Sequence, residues 1–301
     1  MSATSVPRVI FLGADGVHWT EHPPPPELAP WVATIWHLRC ERPYSLRIIP
    51  DGCTDIIRGD IVGSLSKAIV AKLEAGDETY GIRFHPGAFT ALFGVPASEL
   101  VDLRVPLEDV VRPRRLRDLA RDADKPDPLA AAALNATDIR ELARDSGYSP
   151  RQLHRRVFAA TGHNPKRLSR IGRMQALLAA GRGHSWAQTA TEFGYHDESH
   201  MINDVRRLAD ATPDALLAGR QRRIQPRDPV ARPIEPDDVF SQLPHLVHHP
   251  RTQLDVIGRG HQQEPPDLGN GEPRAAGAGD QGEPNRSTRG RCAGHSHKAS
   301  R

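Results

Sequence analysis

Three cysteines (Cys40, Cys53 and Cys292) are scattered over 301 residues with no paired spacing. That excludes a disulfide-stapled scaffold and points to a reducing compartment. Aromatic residues make up only 5% of the chain, and no apolar run approaches the ~20 residues a membrane helix needs. Val9-Ile10-Phe11-Leu12 is too short for the core of a secretory signal and lacks its flanks. A cytoplasmic protein without membrane association is therefore expected. Strong charge of one sign is missing too. The net charge of +3 and isoelectric point near 8.9 are too mild to indicate nucleic acid unaided. Metal-ligand spacing is also lacking. Asp51, Cys53, Asp55, His37 and His85 could be gathered on paper, but they match no ligand motif, and Asp51-Gly52 reads more simply as a turn. No metal, cofactor or catalytic group is expected.

What the chain does have is one short pattern written twice. The first copy runs from Ile139 to Leu153 and the second from Trp186 to Met201. Each reads as helix, glycine turn, capped helix, the layout of a helix-turn-helix. In the first copy Ile139, Leu142 and Ala143 form a narrow apolar stripe, and Gly147 stands where a helix ending in a left-handed turn favours glycine. Ser149 offers an N-cap hydroxyl, and Pro150 suits the first helical position, where its missing N–H costs nothing. The second copy repeats this with Ala187, Ala190 and Gly194, and with Asp197 as the cap after a turn one residue longer.

Counted from the caps, the two second helices are in register. Leu153 matches Met201 and Val157 matches Val205, all on a face that should turn inward. Arg151, His154 and Arg155 then face outward from the first helix, and Ser199, Ile202 and Asn203 from the second. In a DNA major groove, Arg can pair bidentately with guanine and Asn with adenine, and Ile can meet a thymine methyl. Arg156, Lys166, Arg167, Arg206 and Arg207 are candidate phosphate contacts. Between the copies, Pro165 to Ala180 predicts a long helix closed by Gly181. Gly172 inside it costs about 1 kcal/mol relative to Ala, so packing must hold that helix. Its expected task is to fix the separation of two reading heads, which need about 34 Å to enter successive major grooves. A last short helix should start near Thr212-Pro213.

At these residues the chain resembles the AraC-type (AraC/XylS) family of bacterial transcription regulators. The resemblance covers roughly residues 134–220. It is carried by Gly147-Tyr148-Ser149-Pro150-Arg151, Leu153, Thr161-Gly162-His163-Asn164-Pro165, Ala190-Thr191-Glu192-Phe193-Gly194-Tyr195, Asp197, Ser199-His200-Met201 and Thr212-Pro213. It implies a domain of two helix-turn-helix modules that binds double-stranded DNA, in a protein that controls transcription. The family usually has Phe where Val157 and Val205 stand, with Phe158 a candidate substitute in the first module. It often has Arg or Lys at Asn203, and usually Gly at Asp210. Charge also separates the modules. Residues 138–182 hold ten basic and three acidic side chains, whereas residues 183–220 hold three and six. Phosphate attraction supplies most non-specific affinity, so the first module and connector should anchor the duplex.

The expected fold class is α+β and multidomain: a strand-rich, mixed amino-terminal domain, then an all-α tandem helix-turn-helix domain, then a disordered tail. The boundaries are 1–120 for a sensor or dimerisation domain, 121–134 for a linker, 135–220 for the DNA-binding domain and 221–301 for the tail. Strands are predicted over Trp31–Leu38, Leu46–Ile49 and Asp55–Ile57, a strand running into a turn over Gly81–Gly87, and helices over Ala88–Phe93 and Ala97–Leu103. Ile49 to Asp55, Gly81 to Gly87 and Gly94 to Ala97 resemble the amino-terminal domain of a subset of the same family, which implies sensing or dimerisation without naming an effector. Arg83 and His85 alternate with Ile82 and Phe84, so one or both could face a cavity, with the surface the first expectation; residues 104–134 read as a solvated connector of mixed charge, with room for a short helix near Leu116–Leu119. After Gln221 the composition turns to Pro, Gly, Arg and Gln, too polar to offset the entropy of ordering. Expected partners are DNA, a small-molecule effector, a second copy of the chain, and RNA polymerase if the protein activates. The alternative is a small-molecule-binding protein or enzyme with an accessory DNA-binding module.

Overall fold

The computed structural model describes residues 16–111, 116–181, 183 and 185–220. The expected tail and the Val9–Leu12 run lie outside the described residues. The described chain divides as expected into a strand-rich first part and a helical second part.

The strands are β1 (Val17–His22), β2 (Val32–Cys40), β3 (Tyr44–Ile48), β4 (Thr54–Ile57), β5 (Asp60–Val62), β6 (Ile69–Leu73), β7 (Glu78–Phe84) and β8 (Arg104–Pro106). Among the described residues they form an antiparallel six-stranded sheet in the order β1-β2-β7-β4-β5-β8, and a two-stranded sheet of β3 and β6. Alternation along β2 sends Trp36, Leu38 and Cys40 toward the small sheet, where they pack with Leu46, Ala71 and Leu73. A register shift between Val32 and Thr34 resets that alternation, so Val32 and Ile35 both serve the other face. On that face α1 (Ala88–Phe93) packs Phe89 edge-on against Phe84. Trp36 lies over its cross-strand partner Gly81, where an added Cβ would come within 2.2 Å of the indole. Only glycine fits there.

Arg83 is the first correction. It is buried at 5% exposure, not at the surface. It faces Asp55 directly across the β4–β7 ladder, and its Nε and Nη2 each donate to Asp55 Oδ2 at 3.2 Å. β7 is covered on both faces, so strand alternation alone could not show which way the charge pointed. Burial raises the Asp55 pKa, opposed by Arg83. Burial works to lower that of Arg83, but Asp55 and Asp51 outweigh it and hold the guanidinium charged. His85 is half-buried.

The solvated connector expected over 104–134 is the second correction. β8 completes the large sheet. It is followed by α2 (Leu107–Val110), α3 (Leu116–Asp122), whose Leu116 is fully buried, and α4 (Pro128–Asn135). Asp127 caps α4 by accepting from Leu129 N at 3.0 Å. Leu129, Ala130, Ala133 and Leu134 are buried, so the alanine run is a close-packing surface. α4 lies against α7 (Pro165–Ala180) so closely that a Cβ on Gly172 would sit 1.6 Å from Leu134 O. Gly172 is therefore the contact that lets α4 dock. The charged residues around α4 had concealed a buried helix.

The remaining helices are α5 (Ile139–Asp145), α6 (Pro150–Thr161), α8 (Trp186–Glu192), α9 (Glu198–Ala209) and α10 (Pro213–Arg220). One apolar cluster joins α4 to α10, with Leu153, Val157, Leu168, Ile171, Met174, Met201 and Val205 all fully buried. Each such side chain contributes about 1.5–3 kcal/mol of burial. Ile49 of the strand-rich part belongs to this cluster, so the two parts share apolar packing. Further links cross the seam. Ser64 Oγ and His163 Nε2 are 2.9 Å apart. Gln175 Nε2 donates to Pro50 O at 2.7 Å, and Ala68 N to Leu208 O at 2.7 Å.

Candidate nucleic-acid interface

The local structure of each module follows from its turn chemistry. Gly147 and Gly194 both adopt φ +71°, the left-handed region where a side chain would be strained. Tyr148 N then donates to Ala143 O at 3.1 Å, and Tyr195 N to Ala190 O at 2.8 Å, closing the ends of α5 and α8 alike. Ser149 opens α6 with a reciprocal capping box. Gln152 N donates to Ser149 Oγ at 3.3 Å, and Ser149 N donates to Gln152 Oε1 at 3.0 Å. Asp197 opens α9, accepting from His200 N at 2.7 Å. That backbone bond, with His196 beside it, holds the Asp197 carboxyl below its ordinary value. Two further caps escaped the sequence reading: Asp138 on α5 and Ser185 on α8. An oxygen-bearing side chain just before each apolar stripe was the available signal.

Arg151, His154, Arg155, Ser199 and Asn203 are all exposed. Ile202 is half-buried and leans on the helical core, which leaves it a smaller outward surface than expected. Phe158 does not substitute for the missing core aromatic. It is 42% exposed and stacks on His154, while Val157 alone fills the interior. The outer face of α6, with Arg151, His154, Arg155 and Phe158, forms one wall of a groove of about 880 Å³. The opposite wall comes from Thr90, Gly94, Pro96 and Ser98 of the strand-rich part.

The phosphate candidates divide. Lys166, Arg206 and Arg207 are exposed. Arg156 is engaged, with Nε 2.9 Å from Asp127 Oδ2, Nη1 donating to Tyr148 OH at 3.0 Å, and the guanidinium over the Tyr148 ring. Arg167 is half-buried and donates to Ser66 O, so it joins the two parts of the chain and does not stand ready for a phosphate. Arg170 is bound to buried Asp204, and Arg173 to Gly194 O at 2.8 Å. Four of the ten basic residues counted in the first module and connector thus serve internal contacts, which the sequence count could not separate. The Asp204 charge is likewise spent inside.

At the C-cap of α9, Asp210 adopts φ +51°, the conformation for which the resembling family uses Gly. Arg47 meets it from β3, donating to Ala209 O at 3.1 Å and lying 3.3 Å from Asp210 Oδ2.

Residues 142–219 match a family described as a helix-turn-helix domain. Residues 20–106 match a family described as a domain of unknown function, DUF6597. No match was found among curated proteins or solved structures. The chain therefore carries a helix-turn-helix domain behind an amino-terminal domain of unknown function.

Proposed function

We propose that this chain, bearing an AraC-type DNA-binding domain, is a sequence-specific transcription regulator whose α6 and α9 read two successive major-groove segments. The observation that carries the reading is the pairing of two identically closed turns with exposed polar side chains at matching positions after each cap. Arg151, His154 and Arg155 read from α6, and Ser199, Asn203 and the exposed part of Ile202 read from α9. Lys166, Arg206 and Arg207 supply phosphate contacts. α7 sets the spacing and the strand-rich domain acts as the sensor. That last role is supported by the shared seam, since a change of shape on one side must be met on the other. Among the described residues no helix is long and apolar enough to cross a membrane.

A gel-shift on the DNA upstream of the protein's own gene, across a salt series with competitor DNA, tests the reading. Selective retention that weakens linearly in log salt supports it. Retention equal for any sequence contradicts it.

A further inference from the structure

Between the two sheets of the amino-terminal domain lies a cavity of about 80 Å³, roughly half the ~150 Å³ cavity that accommodates a benzene ring. Most of its wall is apolar, including Leu38, Leu46, Leu73 and the stacked pair Trp19 and Trp36, whose ring centroids lie 4.5 Å apart. Three charged side chains also line it: Asp51, Asp55 and Arg83, each no more than 6% exposed. Their hydrogen bonds can be counted atom by atom. Asp55 Oδ1 accepts from Trp36 Nε1 at 2.9 Å, and Oδ2 accepts twice from Arg83. Asp51 Oδ1 accepts from Cys53 N at 2.9 Å. Two atoms are left over: Arg83 Nη1 and Asp51 Oδ2 make no hydrogen bond, although Oδ2 lies 3.3 Å from Arg83 Nε. Buried charged groups in native proteins rarely leave such atoms unmet unless something else meets them.

We propose that this cavity binds a small neutral carboxamide, its carbonyl oxygen accepting from Arg83 Nη1 and its N–H donating to Asp51 Oδ2. Charge and size select that class. The cluster already holds two carboxylates against one guanidinium, so an anionic ligand would add a third negative charge beside Asp51. A cationic ligand would meet the N–H of Nη1 with no acceptor to offer. A carboxamide presents an acceptor and a donor side by side without charge, and a methyl or ethyl group fits the apolar remainder.

The site is placed to influence the helical domain. Asp51 sits in the loop from Ile49 to Cys53. Its neighbour Pro50 accepts from Gln175 of α7, Ile49 is buried in the helical cluster, and Gly52 lies against Leu134 and Leu168. One short loop is thus both the cavity wall and the seat of the rod between the modules. This consequence rests on the DNA-binding reading above, whereas the binding itself does not.

The test titrates the full chain with acetamide, acetate, methylammonium and 2-propanol, following the indole N–H resonance of Trp36, and repeats the gel-shift with and without acetamide. Saturable binding of acetamide alone is expected, with DNA affinity shifted by about fivefold or more. Asp51→Asn keeps an acceptor for Cys53 N but puts a donor in place of Oδ2, so acetamide should bind at least ~10-fold more weakly, the loss of one charge-assisted hydrogen bond. No binding, or equal binding of all four probes to the unaltered chain, overturns the proposal whether or not the variant folds. So does unchanged acetamide affinity in a folded variant. Acetamide binding with no change in DNA affinity retains the site and overturns its coupling to α7. Failure to retain DNA under any condition overturns the function proposed above and leaves the titration to decide this one.

Discussion

In the first helix-turn-helix module the segment after the turn glycine leads through a Ser149 capping box into a helix bearing Arg151 and Arg155. In the second it leads through Asp197 into a helix bearing Ser199 and Asn203. The backbone closures are the same, and the buried Ala143, Leu153 and Val157 match Ala190, Met201 and Val205. Their surroundings differ. The outer face of α6 is bracketed by Thr90, Gly94, Pro96 and Ser98, and the end of α6 is tied to the sheet domain through buried His163. The end of α9 is tied by a backbone bond from Ala68 and by the exposed pair of Arg47 and Asp210. A repeated fold thus fixes turn geometry and core volume. It leaves the charge of the reading face, and the way each module is anchored, free to diverge.

That comparison can be broken at several points. Gly172→Ala should have the largest effect, because the added methyl would run into the backbone of Leu134. We expect a loss of more than about 3 kcal/mol in urea unfolding, since overpacking against a fixed carbonyl cannot relax cheaply. Both modules share α7, so DNA contacts of both should fail together. Loss confined to one module would show that α7 does not couple them.

Acid should separate the modules next. Burial, with nearby Arg167, pulls the His163 imidazole from its ordinary 6.5 down to about 4. The folded state therefore keeps it neutral while the unfolded chain takes up a proton. Stability is complete above pH 6.5 and falls as pH drops toward 4, by about 3 kcal/mol in total. Urea titrations at intervals across that window should show the slope, and His163→Gln should flatten it. An unchanged slope in the variant would remove His163 as the acid-sensitive anchor of the first module.

Base reading comes third. Arg155→Ala should cost about 1–3 kcal/mol of operator affinity and relax one base position. Asn203→Ala should cost less, because α9 sits in a less basic surrounding. Equal losses in quantitative footprinting would end the proposed asymmetry. Smaller again, Ser149→Ala should cost about 1 kcal/mol of stability, and Asp197→Ala should lower stability in the same direction. The Asp197 contribution is present above the ordinary carboxylate pKa and lost as pH falls through its depressed folded value, whereas the Ser149 contribution should not vary with pH. Asp210→Gly should fall within about 0.5 kcal/mol of the unaltered chain in thermal melts, since relief of the left-handed strain offsets loss of an exposed ion pair. A large loss would mean that Arg47 anchors the second module more firmly than solvent screening allows.

The repeat, its caps, its glycines and the α7 boundaries were legible because they depend on local rules. Proline at the first turn, an oxygen-bearing cap and a left-handed glycine act within a few residues. The strands β2, β3, β4 and β7 were readable from β-branched and aromatic runs. β1, β6 and β8 were not, because polar residues interrupt them and their partners are distant in sequence. The burial of Arg83 was not the first expectation because its environment depends on Asp55 of β4 and on Asp51 in the loop before it. The internal contacts of Arg156 and Arg167 were invisible for the same reason: a guanidinium looks alike in sequence whether it stands free or holds Asp127 or Ser66. Helix α4 was hidden because alanines carry little apolar signal, and only the bare backbone of Gly172 reveals what they are for.

The docking of α4 has a practical corollary for dissecting the chain. A fragment beginning at residue 135 would lose the side chains of Leu129, Ala130, Ala133 and Leu134, leaving an open trough along α7 where a closed wall belongs. Starting at Asp127 restores that wall but still omits Ile49, which lies far upstream and completes the same apolar cluster. No single cut yields a self-sufficient DNA reader, and an excised one should be sticky and poorly folded however well its operator is chosen.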